Sequence, residues 1–94
     1  MAFVNATWRI ETGNGTSQLW LEYNNPGGIK CGAEYCSYDS QKSGLIALNS
    51  LLIEYWEVYG MDIKAIRERY CQCGVDDYLQ FMKIYHEELK KEQR

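Results

Sequence analysis

The chain has 94 residues, a length that fits one compact domain and leaves little room for a second. A hydrophobic share of 46% supports a core, while a net charge of -3 and a pI near 5.1 argue against a nucleic-acid binder, which carries a basic stripe. No stretch approaches the roughly 18 apolar residues of a bilayer span, and the opening MAFVNATWRIE lacks the basic region and long apolar run of a signal peptide.

In chain order, Ala2 to Glu11 reads as a short helix, with Phe3, Val4, Thr7, Trp8 and Glu11 at helical spacing and Gly13 as its stop. Thr12 to Asn25 reads as loop, within which Ser17 caps a brief turn through Gln18 to Tyr23. Asn24-Asn25-Pro26-Gly27-Gly28 is the strongest turn signal in the chain. Ile29 to Cys31 and Tyr35 to Tyr38 are predicted as two short strands around Gly32-Ala33-Glu34. Ser40 then opens a long helix with Leu45, Leu48, Leu52, Tyr55 and Tyr59 in one stripe, and Gly60 ends it. Asp62 caps a shorter helix through Tyr70. A last helix starts at Asp76 or Asp77, with Tyr78, Met82, Tyr85 and Leu89 on a shared face. The expected class is mainly α (α+β): a single helical domain with one β-hairpin lobe.

Glu11 is the residue with the clearest chemistry. It falls on the last turn of the first helix, where the negative end of the helix dipole disfavours a second negative charge. Trp8, one turn back, adds apolar surroundings. Both effects favour a carboxyl that stays protonated near neutral pH, the form that protonates a glycosidic oxygen. Lysozyme tunes its acid carboxyl in the same way. On residue type alone a Glu at a helix end is usually a solvated charge. The thirteen aromatic residues, eight of them Tyr, suit a surface that stacks on sugar rings as well as they suit the rim of a core.

Two separated segments shift that balance. Glu11-Thr12-Gly13-Asn14-Gly15-Thr16-Ser17, followed by Asn24-Asn25-Pro26-Gly27-Gly28-Ile29-Lys30, resembles the glucosaminidase domain of family 73 glycoside hydrolases. Tyr38-Asp39-Ser40 before the long helix, then Arg69-Tyr70 and Asp77-Tyr78, resemble later pieces of the same family, so the likeness runs from about Ala6 to Leu89. The resemblance implies a lysozyme-like fold and cleavage of β-1,4 bonds in bacterial peptidoglycan, with no cofactor and no metal. It places Glu11 at the catalytic acid and Tyr70 close beside it, as a group that stabilises charge or positions the sugar's acetamido group. Gly13, Gly15 and Ser17 match the turn that shapes the cleft. Asn24, Asn25, Gly28, Tyr38 and Asp39 are expected to bind substrate. A second carboxylate, on the lobe, falls to Glu34 first and Asp39 second. Asn14 departs from the family, which has Trp there, and only ten residues precede Glu11.

The likeness leaves two rival activities: a lytic transglycosylase or muramidase of the same superfamily, and a glycan-binding or phage-tail module without catalysis. Glycan strands of peptidoglycan are the expected partner, at the cell wall, outside the cell or on a virion; neither nucleic acid nor membrane is expected. Cys31, Cys36, Cys71 and Cys73 form two close pairs, which read as two disulfides stapling the hairpin to the body, a four-thiolate zinc site or free thiols. An oxidising cell-wall setting favours disulfides. His86, the single His, reads as a surface or core-edge residue.

Overall fold

A computed structural model describes residues 2–70 and 75–93. Its elements are α1 (Ala2–Thr12), α2 (Gln18–Tyr23), β1 (Lys30–Cys31), β2 (Glu34–Tyr35), α3 (Gln41–Tyr59), α4 (Ile63–Tyr70) and α5 (Val75–Glu92). The domain is mainly α with a small hairpin, the class that the periodicity indicates.

Helix boundaries follow the capping signals. Gly13 takes a positive φ of 57° just after α1, a conformation that ends a helix without a Cβ clash. The Ser17 side chain accepts from the Trp20 amide at the start of α2, and the Ser40 side chain from the Ser43 amide at the start of α3. Asp62 Oδ1 accepts from the Ala65 amide before α4. The last helix begins at Val75, slightly earlier than expected, which places Asp76 and Asp77 in its first turn beside the positive end of the dipole.

The core gathers Val4 of α1 with Leu48 and Leu52 of α3, flanked by Phe3, Trp8, Ile29, Tyr55 and Tyr70. Phe3 inserts edge-on among Trp56, Phe81 and Tyr85, with centroids 5.4, 5.3 and 5.6 Å away, and so joins α1, α3 and α5. On α5 the buried line is Phe81 and Glu88, with Tyr78, Met82, Tyr85 and Leu89 half-buried on its flanks. The expected face therefore exists but is centred elsewhere, because Phe81 meets the aromatic cluster and Glu88 meets Arg9 at 3.1 Å and Lys91 at 2.7 Å. Tyr59, expected on the α3 stripe, is exposed at the helix end.

The hairpin is smaller than expected. Each strand is two residues long, with Lys30 opposite Tyr35 and Cys31 opposite Glu34, and all four are exposed. So short a ladder has no hydrophobic face to hold it. The lobe rests instead on Asn25, which is fully buried: its amide nitrogen donates to the Ile29 and Cys36 carbonyls, and its oxygen accepts from the Gly27 and Ile29 amides. Asn24 closes α2 in the left-handed conformation and donates its side-chain amide to the Tyr38 carbonyl at 2.8 Å. Cys31 and Cys36 form a disulfide across the lobe. Cys31 and Cys36 therefore pair with each other inside the hairpin instead of stapling it to the body, since their Cα atoms lie 5.0 Å apart, within bridging range. Cys71 and Cys73 lie outside the described residues.

Candidate functional site

The site assembles where α1, α4 and α5 meet and where the Asn25 turn touches α4. Inward-facing positions on α4 recur at Ile63, Ile66, Arg67 and Tyr70, the spacing of one helical face. That places a guanidinium in the interior. Arg67 is 2% exposed, and its Nη2 reaches Glu11 Oε1 at 3.1 Å and both oxygens of Asp77 at 3.0 and 3.2 Å. Its guanidinium carbon lies 4.7 Å from the Phe81 ring centroid and 5.6 Å from that of Tyr70. Its Nε and Nη1 have no hydrogen-bond partner among the described residues, and it fronts a cavity of about 190 Å³ shared with Lys64, Glu68, Asp77 and Tyr78.

Glu11 sits in the penultimate position of α1, half-buried. Burial raises its pKa above the ordinary 4.5; the Arg67 guanidinium pulls it down, the Asp77 carboxylate pushes it up, and desolvation dominates. Trp8, one turn back, packs its ring edge-on against Trp20 at 5.6 Å and covers Gly15, where a Cβ would meet it at 2.9 Å. Those contacts fix the turn after Glu11.

Tyr70 joins the two halves of the molecule. Its hydroxyl donates to the Gly27 carbonyl at 2.5 Å, and the absence of a side chain at Gly27 is what admits it, since a Cβ there would lie 2.0 Å from the oxygen. Burial raises the Tyr70 pKa far above 10, with the Glu11 charge adding to the rise, so this phenol stays neutral across the biological range. Tyr38 and Tyr55 also act on it electrostatically, and Tyr55 packs edge-on against it at 6.1 Å.

Beside Tyr70 a groove of about 290 Å³ runs between lobe and body, lined by Gly28, Ile29, Lys30, Leu51, Tyr55, Arg69 and Tyr70. Gly28 and Tyr70 line this groove; Glu11 and Tyr38 do not line it but lie near enough to act on Tyr70 electrostatically. Asn24 and Asn25, expected to bind substrate, are instead occupied in holding the lobe; Asn25 is buried with its amide satisfied by backbone. Glu34 and Asp39 are exposed on the lobe and at its foot, and share no bond with Glu11 or Tyr70. Sequence reasoning missed Arg67 and gave Asp77 no role. The available signal was a cation at an inward position of α4, which in a folded protein requires carboxylate partners.

Among the described residues no group of His, Cys, Asp and Glu is arranged to hold a metal ion, and no helix is long and apolar enough to cross a membrane. No family model, curated protein or solved structure matches the chain.

Proposed function

We propose that this protein is a lysozyme-like peptidoglycan hydrolase, an endo-β-N-acetylglucosaminidase with Glu11 as general acid. The observation that carries the reading is a half-buried carboxyl of raised pKa beside a neutral phenol that borders an aromatic groove. A general acid works best when its pKa approaches the operating pH, and burial is the means used here. The family resemblance of the Glu11 and Asn24–Lys30 segments supplies the substrate class.

In the proposed reaction Glu11 gives its proton to the glycosidic oxygen as the bond to the anomeric carbon breaks. The carboxylate left behind is stabilised by Arg67 Nη2. Tyr70 has its hydrogen engaged by the Gly27 carbonyl, so its oxygen faces the reaction as an acceptor, suited to the N–H of the 2-acetamido group. Glu34 and Asp39 are the carboxylates that the lobe offers to activate water. A transition-state charge developing at the ring is then met by a neutral phenol and an anionic Glu11, a favourable pairing.

The test is the product. Purified peptidoglycan is incubated with the protein and with Glu11→Gln, and released fragments are reduced with borohydride and sized by mass spectrometry. Fragments ending in reduced N-acetylglucosamine, lost in Glu11→Gln, are the expected result. Anhydro ends would instead indicate a lytic transglycosylase, and reduced muramic ends a muramidase. Glycan binding without any release, unchanged in Glu11→Gln, would leave a binding module and overturn the reading.

A further inference from the structure

The groove beside Tyr70 carries a charge pattern that a neutral sugar does not need. Its floor and one wall are apolar or aromatic: Ile29, Leu51, Tyr55 and Tyr70. Its remaining wall residues include two cations from opposite sides, Lys30 on β1 of the lobe and Arg69 on α4 of the body. Each lies against a ring, Lys30 5.5 Å from the Tyr35 centroid and Arg69 5.8 Å from that of Tyr55. Neither forms an ion pair among the described residues, although the chain is acidic overall. Glu54 and Glu57 border Arg69 in the next depression, on the far side of Tyr55, without pairing to it. Two cations without ion-pair partners lining one groove of about 290 Å³, near the lower end of the range of about 300–1,000 Å³ for small-molecule sites, favour an anionic occupant.

We infer that Lys30 and Arg69 form a carboxylate-recognition pair that selects glycan bearing acidic substituents over uncharged glycan. The inference rests on the peptidoglycan reading and refines its substrate class. A sugar ring stacks on the aromatic floor while a carboxylate attached to that ring, or to a peptide hanging from it, lies between the two cations. The recognition is charge-assisted, and such bonds are about twice as strong as neutral ones. Because one cation comes from the lobe and the other from the body, the ligand also bridges the two halves.

Binding separates this from the cleavage claim. The full chain carrying Glu11→Gln, which prevents turnover during titration, is titrated with three soluble ligands of equal length. They are an N-acetylglucosamine oligomer, a peptidoglycan strand stripped of stem peptides that keeps its lactyl carboxylates, and a strand that retains its peptides. Each titration is repeated with Lys30→Gln, Arg69→Gln and the charge-preserving Arg69→Lys added, and thermal melts confirm folding. The expected result is about tenfold or greater preference for an acidic strand over the uncharged oligomer, reduced about tenfold by either Gln substitution and retained by Arg69→Lys. Preference for both acidic strands assigns the lactyl carboxylate, and preference for the peptide-bearing strand alone assigns a peptide carboxylate. Equal affinity for all three, or a preference that survives both Gln substitutions, overturns the inference and leaves the cleavage chemistry untouched. Failure of wild type to release fragments, with the charge preference intact, would instead overturn the hydrolase reading alone.

Discussion

The helical body and the hairpin lobe are held by different physics. The body is an apolar cluster in which Phe3, Leu48, Ile66 and Phe81 exclude water, and its stability scales with buried area. The lobe has exposed two-residue strands, and its order comes from hydrogen bonds, those of buried Asn25 and of Asn24 among them, and from one disulfide. Apolar packing tolerates small shifts at modest cost, whereas a polar cradle is either satisfied or expensive. A site that needs a groove wall at a set height is therefore better served by Asn25 than by another Leu. The two regions meet at the Tyr70–Gly27 bond and at Gly44 of α3, where a Cβ would lie 2.0 Å from the Asn24 carbonyl oxygen.

Substitutions in the two regions should differ in kind as well as size. Phe81→Ala removes a fully buried ring that contacts Phe3 and Arg67, and should cost about 3–5 kcal/mol. The whole chain should melt earlier, and all amides should lose hydrogen-exchange protection together. Asn25→Ala removes the partner of the Gly27 and Ile29 amides and of the Cys36 carbonyl, and should cost about 2–3 kcal/mol. Here the loss should concentrate in residues 24–38, with helical amides still protected. Equal loss everywhere in Asn25→Ala would mean that the two regions unfold as one and the contrast drawn above is wrong.

The smallest effect is on pH dependence, and it has opposite signs at two carboxylates. Glu11 has a folded pKa above its ordinary 4.5, so its contribution to stability is greatest below that value and is lost as pH rises through the raised one. Glu88 has a folded pKa below 4.5, held down first by the Lys91 hydrogen bond and then by Arg9. Its contribution is present above 4.5 and lost as pH falls through the lowered value. Melting curves across pH should thus flatten on the neutral side in Glu11→Gln and on the acid side in Glu88→Gln. The reverse pattern would show that Arg67, not burial, governs Glu11.

Much of the fold is legible because its signals are local. Ser17, Ser40 and Asp62 cap helices where a short side chain meets a free amide, and that chemistry acts over three residues. Glu11 and Tyr70 could be singled out on the segments around them. The Arg67–Glu11–Asp77 cluster could not, because it joins positions 56 and 10 residues apart and no short-range pattern encodes that meeting. The same limit applies to Asn25. A paired Asn before Pro-Gly reads equally well as a ligand contact or as a turn scaffold, and only burial distinguishes them. The Cys31–Cys36 pairing was open for a similar reason, since four thiols permit three connectivities.

The central claim is that burial raises the Glu11 pKa so that it can act as an acid. It is tested most directly by titrating the Glu11 carboxyl carbon by NMR and comparing its midpoint with the alkaline limb of kcat/KM on soluble peptidoglycan strands. Both are expected to lie above 4.5 and to coincide. A Glu11 midpoint at or below 4.5 in a protein that still cleaves glycan would contradict it and assign the proton to another group.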